Sequence, residues 1–311
     1  MKAARVTSWG SPPKSISVPD LPPPSPSQLQ LKVLAAAVPR VVQLRAAGKH
    51  PSAADASLPF DPSIDGVGLD VATGDQYFIS VLAAPLFAER ANVDRSQLVK
   101  LNPGADAVAV ATLANPVTSS WMALRCRAIG GYQGRTVLIL GATSASGRCA
   151  VVVARMLGAA RVIGVSRSVD TLATVEGLDE RVVLQEPVVL PASIGPVHIL
   201  LDYVGGSAAV GLMQVVEVEP GQNLQYISIG LLSGEEDLLL PVRLINTKPI
   251  RIMASGVGSL SNDDFKGEAP GLVDALTKIK PPLDIFAVSL ADVESAWESE
   301  EAKRKRLVLV P

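Results

Sequence analysis

Residues 136–147 read T-V-L-I-L-G-A-T-S-A-S-G, and the chemistry this stretch offers is the holding of a phosphate-bearing ligand. Gly141 to Gly147 supplies residues small enough for backbone N–H groups to come close to an anion. The segment 148–157 carries Cys149, Val152, Val153 and Met156 at helical spacing, and Gly158 is placed to stop the helix in a left-handed cap. A helix starting there points unpaired N–H groups and a partial positive charge at the loop. Set against the dinucleotide fingerprint G-x-G-x-x-G, the loop reads Ala142, Ser144, Gly147, and keeps the glycine that lets the helix pack close to the strand. Ser144 stands where the backbone must come nearest a pyrophosphate. It either donates a hydrogen bond there or weakens the site, and a strand–turn–helix with no ligand is the competing reading.

A second group of residues follows the next strand. The run 161–165 leads into Ser166, Arg167 and Ser168, and the first acid, Asp170, comes further on. In a doubly wound domain this strand end faces the adenosine ribose, where a carboxylate selects NAD and a cation accepts the 2′-phosphate of NADP. The planar fork of Arg167 suits a phosphate. The expected cofactor is therefore NADPH rather than NADH.

Residue supply argues against other chemistries. Cys126 and Cys149 have no second ligand at metal spacing, so both read as inert thiols and no metal is expected. None of Tyr77, Tyr132, Tyr203 or Tyr226 is followed by lysine four residues on, and there is neither a P-loop lysine after Leu140 nor a G-x-S-x-G elbow. A net charge of −2 makes no electrostatic case for nucleic acid or an anionic membrane. No apolar run approaches the ~20 residues of a membrane span; the longest, 108–117, is interrupted by Asn115 and Pro116. Residues 1–9 lack an apolar signal core. These features predict a cytoplasmic protein with a small-molecule substrate and no nucleic-acid or membrane partner.

At 311 residues and 48% hydrophobic, the chain has material for two domains with sizeable cores. Short strand-like runs at 29–34, 75–81 and 87–93 mark a β-rich first part, and the seven prolines of 12–26 read as a connector. From Asn115 helix and strand alternate. A helix is expected at 118–129, and strands at 136–140, 161–165, 181–184, 198–203 and 225–229, with helices at 170–177 and 208–215. This is the grammar of an α/β, right-handed, doubly wound parallel sheet. A helix at 271–279 and strands at 285–289 and 306–310 follow, with 298–306 as a solvated turn. The expected domains are 1–113 (β-rich), 114–252 (nucleotide-binding), and 253–311 returning to complete the first.

Several separated motifs then carry a family likeness. They are S-I-D-G-V-G (63–68), L-F-A-E-R (86–90), L-A-N-P-V-T-S-S-W-M-A-L (113–124), the loop G-A-T-S-A-S-G, L-D-Y-V-G-G (201–206), Y-I-S-I-G (226–230) and A-S-G-V-G-S (254–259). In this order they resemble the medium-chain dehydrogenase/reductase superfamily, in its zinc-independent, quinone-oxidoreductase-like (enoyl-reductase-like) branch, over essentially the whole chain. The resemblance implies a GroES-like β domain made from both chain ends and a Rossmann domain between them. It implies cofactor contacts by Asn115 and Ser119 near the nicotinamide, by Ala142, Thr143, Ser144, Ala145, Ser146 and Gly147 at the pyrophosphate, and by Ser166 and Arg167 at the adenosine phosphate. Tyr203, Gly230, Ser255 and Gly256 would close the site. Arg40, Lys49 and His50 fall where relatives border the substrate, with Trp121 as an apolar wall.

The G-H-E motif of zinc-dependent members is missing from 63–68, where neither His nor Glu occurs. Relatives imply a homodimer through the nucleotide domain, which the residues themselves do not decide. The implied activity is NADPH-dependent reduction of an activated C=C or carbonyl, of the enone or quinone type, in a small apolar molecule. No proton donor can be named from the sequence. Two alternatives stay open: a redox-silent enzyme isomerising, dehydrating or cyclising a polyketide- or terpenoid-like molecule, and a non-catalytic NADPH-binding protein.

Overall fold

The computed structural model describes residues 1–256 and 258–311; Val257, inside the 254–259 motif, lies outside them. Its two compact units are Met1–Asn115 with Ala269–Pro311, and Pro116–Glu268.

The first unit is built on strands β1 (Lys2–Arg5), β2 (Lys14–Ser17), β3 (Gln28–Ala37), β4 (Gly66–Leu69), β5 (Gln76–Ile79), β6 (Arg90–Asp94) and β7 (Leu98–Lys100), with helix α1 (Arg40–Ala46) after β3. The strand Arg306–Val310 pairs antiparallel with β3, Val308 facing Ala37, and parallel with Ile285–Ser289. That pairing places Val293, Leu307 and Leu309 in one core with Leu31, Val33, Ile79 and Phe87. Both chain ends therefore share a hydrophobic interior, which neither could close alone.

Three expectations need correction here. The proline-rich stretch holds β2, which pairs antiparallel with β1 from Lys2↔Ser17 to Arg5↔Lys14. A two-stranded edge tolerates flanking prolines because few of its N–H groups are needed in a ladder. Helix α1 lies in a part expected to be β-rich; it is a single short element starting directly after Pro39, too brief to show a period. The solvated run 298–306 contains a helix, Glu300–Arg304, whose first turn is closed by Ser299 accepting from Ala302 N at 3.1 Å.

The second unit begins within helix α2 (Ala107–Met122), which the sequence places only from 118. Asn115 and Pro116 do not break it. Pro116 removes one i→i−4 bond, while Ser119 and Ser120 hydroxyls donate to the Pro116 carbonyl at 2.8 and 3.3 Å, and a wider π turn, Ala123–Arg127, follows. Over Ala107–Arg127 the helix is long and apolar enough to cross a membrane, yet 72% of its apolar 18-residue stretch is buried inside the protein. An all-round apolar helix of this kind is a core helix.

Strands β8 (Thr136–Leu140), β9 (Arg161–Ser166), β10 (Glu180–Val183), β11 (Ile199–Asp202), β12 (Leu224–Ser228) and β13 (Ile250–Ala254) form a parallel sheet in the order β10-β9-β8-β11-β12-β13. Helices α3 (Ala145–Met156), α4 (Val169–Ala173), α5 (Gly206–Val215) and α6 (Val242–Thr247) connect them, and α7 (Asn262–Lys278) leads out of the unit. β8 and β11 are buried at every residue, as strands covered on both faces must be. β13 is not among the expected strands, because its partly exposed I-R-I-M-A pattern marks an edge and not a core strand. Gly158 ends α3 at φ +91°, its N–H donating to Arg155 O at 3.0 Å.

Candidate functional site

The strand order, renumbered from β8, is 3-2-1-4-5-6, and the direction of winding reverses between β8 and β11. In a parallel sheet all carboxyl ends lie on one edge. The loops leaving that edge carry Ala142, Thr143, Ser144, Ala145, Ser146 and Gly147 after β8, and Ser166 and Arg167 at the end of β9. Tyr203 follows β11, Gly230 follows β12, and Ser255 and Gly256 follow β13. The fold thus brings these sequence-predicted residues to one edge.

The loop after β8 is shaped by its glycines. Gly141 adopts φ +88°, the left-handed region open to glycine. A side chain on Gly147 would run into the Gly141 carbonyl oxygen and come within 2.7 Å of Ala142 Cα. Ser144 instead has φ −69° and ψ 161°, an ordinary extended conformation. Its hydroxyl accepts from Gly147 N at 3.0 Å and caps α3. Its position therefore does not require glycine.

The hydroxyls of Thr143 and Ser166 lie 2.8 Å apart, tying the loop after β8 to the end of β9. Arg167 is exposed and makes no hydrogen bond or ion pair among the described residues. Arg148, not singled out from the sequence, reaches Thr143 O at 3.3 Å and Thr174 Oγ1 at 2.7 Å. Position after a glycine carries no signal for such a role, which depends on where Thr174 packs.

On the other side of the reversal point, Gly230 is needed for closeness: a Cβ there would come within 2.7 Å of Tyr203 O. Asp202, which sequence reasoning does not single out, is fully buried and organises this turn. It accepts from Val204 N, Gly205 N and Tyr226 OH at 2.8, 2.9 and 2.6 Å. Gly256 N donates to Ser259 Oγ at 2.8 Å. The hydroxyls of Tyr203 and Ser255 are buried, and that of Ser255 makes no hydrogen bond among the described residues. The Tyr203 phenol is raised above its usual pKa chiefly by burial, with the Ser119 and Ser120 hydroxyls close enough to oppose the rise. The unpartnered Ser255 hydroxyl, a tight glycine turn and an unpaired cation on one edge fit a polar, phosphate-bearing ligand.

Asn115 and Ser119 lie one turn apart on α2. Trp121 is buried; its indole N–H donates to Glu268 Oε2 at 2.8 Å. Arg125 grips the same carboxylate through two bonds, at 2.8 and 3.0 Å, and stacks 5.9 Å over the indole.

In the first unit, Arg40 and Lys49 are exposed and make no side-chain hydrogen bond among the described residues. His50 is half-buried and its Nδ1 accepts from Ser52 N at 3.2 Å, closing a short 3-10 turn. Burial and then the charge of Arg45 lower its pKa, keeping the ring neutral. Arg45 is itself buried, stacked 5.1 Å over Phe60 and donating to Pro62 O at 2.9 Å.

Asp65, within 63–68, is 1% exposed, and neither oxygen has a hydrogen-bond partner among the described residues. Burial pushes its carboxyl up to about 7, against the charge of Arg306. The thiol of Cys126 is also pushed up by burial, with Glu268 and Asp264 adding to the rise. Among the described residues, no group of three or more His, Cys, Asp or Glu side chains is placed to hold a metal ion.

A mostly antiparallel β unit drawn from both ends of the chain, with a doubly wound unit inserted in the sequence between them, defines the two-domain class of fold that carries dinucleotide sites. No family model matches the chain. It is 48% identical over 355 aligned residues to the probable NADPH-dependent quinone reductase tdiC of Emericella nidulans, with all of both chains covered. The chain belongs to the quinone-oxidoreductase-like branch of the medium-chain dehydrogenase/reductase superfamily, and its fold is GroES-like plus Rossmann.

Solved structures agree on the fold. The quinone oxidoreductase from Thermus thermophilus, described also as its NADPH complex, superposes with a TM-score of 0.77 at 22% identity over all of both chains. A mycobacterial quinone oxidoreductase gives 0.80 at 21%, again over all of both chains. A thermostable alcohol dehydrogenase from Pyrobaculum aerophilum gives 0.76 at 21%, covering all of this chain and 99% of that one.

Proposed function

We propose that the chain is an NADPH-dependent reductase of quinone-type small molecules, binding the dinucleotide along the carboxyl edge of its parallel sheet. The observation that carries this reading is the full-length likeness to a probable NADPH-dependent quinone reductase. The unpaired Arg167 at the end of β9 supports it. In this reading Arg167 holds the 2′-phosphate, with Thr143 and Ser166 hydroxyls beside it. The backbone of 142–147 and the start of α3 face the pyrophosphate. Ser255 turns its unpartnered hydroxyl to the polar groups of the ligand and Tyr203 closes the site beside it, while Asn115 and Ser119 serve the nicotinamide end.

The bound reduced nicotinamide supplies a hydride. What the protein contributes is position and exclusion of water. With no His or Glu ligand in 63–68, polarising the acceptor falls to the protein's own hydrogen-bond donors. The substrate class that fits is a conjugated carbonyl, a quinone or enone, which accepts a hydride with its charge settling on oxygen.

The redox-silent alternative rests on Ser144 and on the scarcity of proton donors. The extended backbone and capping role of Ser144 give a structural reason for serine there, which favours the reductase reading. Fluorescence titration with NADPH, followed by NADPH consumption with quinones and enones, tests the reading. Saturable binding and consumption are expected. Saturable binding with no consumption on any acceptor would overturn the reductase and leave a redox-silent or binding role.

A further inference from the structure

The amino edge of the same parallel sheet, opposite the edge considered so far, carries a cavity of about 250 Å³. Arg135, His198, Gln222, Asn223, Gln225 and Arg251 contribute to its lining, and no carboxylate does. The sheet register explains how two distant arginines share it. Val137, Ile199, Gln225 and Arg251 form one row across β8, β11, β12 and β13. Arg135 immediately precedes β8, and β8 lies three strand spacings from β13, about 14 Å. His198 and Asn223 immediately precede β11 and β12 and fill the gap between the arginines.

Neither guanidinium has a hydrogen-bond or ion-pair partner among the described residues. Several other arginines of this unit are engaged, among them Arg125 with Glu268, Arg155 with Gly177 O and Arg161 with Ile194 O, whereas Arg167 on the opposite edge is not. Two unpaired cations facing one concave space repel each other, and a bound anion relieves that cost. His198 is committed elsewhere. Its Nδ1 accepts from Thr136 N at 3.1 Å and its Nε2 faces Glu219 Oε2 at 3.1 Å, so that carboxylate is already taken.

The cavity wall is fixed and its mouth is open. Gln225 is buried and clamps the backbone of Ile129 from both sides, accepting from its N–H at 2.6 Å and donating to its carbonyl at 3.0 Å. Gly130 and Gly221, also in the lining, turn the chain with φ +74° and +78°, and a Cβ on either would meet nothing within 4 Å. The side-chain amides of Gln222 and Asn223 make no hydrogen bond among the described residues, and stand ready to bond a ligand oxygen.

We propose that this cavity is a second anion site, binding a small phosphate-bearing ligand between Arg135 and Arg251. A phosphate is dianionic near neutral pH and presents the oxygens that two guanidinium forks require. The volume lies below the 300–1,000 Å³ of ordinary ligand pockets, so the ligand is smaller than a dinucleotide. Free phosphate and a small phosphate monoester share this chemistry.

Calorimetric titration near neutral pH, at constant ionic strength, tests the site with inorganic phosphate and with glycerol 3-phosphate as probes. The full chain is compared with Arg135→Gln, Arg251→Gln, the double variant and Arg167→Gln, after thermal melts confirm folding. Saturable binding at one site is expected for at least one probe. Each single change at the amino edge should weaken it at least tenfold, the effect of losing a charge-assisted hydrogen bond. The double variant should abolish it, and Arg167→Gln should leave it intact. The tighter probe tells free phosphate from an ester. Unsaturable heats with both probes, undiminished binding by the double variant, or loss on Arg167→Gln instead would overturn the proposal. Should one variant fail to fold, the other single change carries the same expectation. Because Arg167→Gln reports on the carboxyl edge alone, failure of this site and failure of the NADPH reading are separable.

Discussion

The hydroxyl of Ser144 accepts a hydrogen bond from Gly147 N at 3.0 Å, so the residue standing in for a fingerprint glycine is the N-cap of α3. That relationship separates two effects of substitution. Ser144→Ala removes the cap and should cost about 1 kcal/mol of stability, whereas Ser144→Gly should cost only a few tenths. Equilibrium urea unfolding reads the difference. Since the backbone here is ordinary, Ser144→Gly should bind NADPH at least as tightly as the parent in a fluorescence titration. A large loss of affinity in the glycine variant as well as the alanine one would show that the hydroxyl is a ligand contact.

Gly147 answers to a different constraint. An added methyl would meet the Gly141 carbonyl and Ala142 Cα, backbone atoms that cannot swing away. Gly147→Ala must push α3 off β8, and overpacking of this kind costs about 1–3 kcal/mol. The melting temperature should fall, and NADPH binding should weaken with it, because the helix start that faces the pyrophosphate moves. Unchanged melting would mean the turn has slack that its geometry does not show.

The parts of the fold legible in the sequence are those fixed by local chemistry. The uninterrupted apolar run Thr136–Leu140 and the tail strand Arg306–Val310 are found where patterning puts them. Asn115-Pro116 misleads because a breaker signal is local, while a helix buried on nearly every side is held by packing. β13 misleads in the opposite sense, an edge strand whose exposed residues blur the period. The glycine turn and Arg167 stand out because their residue types are unusual for their places. Asp202 as a turn organiser, Asp65 as a buried acid and the Arg135–Arg251 cavity do not, since each depends on register between segments distant in the chain.

Arg167 gives the most specific expectation for the cofactor. It is exposed and without an ion-pair partner among the described residues, so its removal leaves no buried group behind. Arg167→Ala should weaken NADPH by about 1.5–3 kcal/mol, the range for a hydrogen bond to a charged group, and leave NADH nearly unchanged. Melting should not move. Equal losses for both cofactors would remove the phosphate assignment and shift attention to Arg148, which already leans on the loop through Thr143 O.

Asp65 should make stability depend on pH in the direction opposite to an ion-paired acid. Its carboxyl titrates at about 7 when folded and from a starting value of 3.8 when exposed, so between those values the folded chain holds a proton that the unfolded chain releases. The stabilisation is complete below about pH 4 and is lost as pH rises through about 7. Asp65→Asn carries no such proton. Relative to the parent it should gain stability with rising pH, by up to a few kcal/mol at about pH 8 and much less at about pH 5. Other acids shift the opposite way, Asp264 through its bonds to Ser261 and Asp179 despite its own burial, so the difference between parent and variant is the informative quantity. Unfolding free energies at both pH values measure it. A difference that does not change with pH would mean that Asp65 stays ionised in the folded chain, with the charge of Arg306 outweighing its burial.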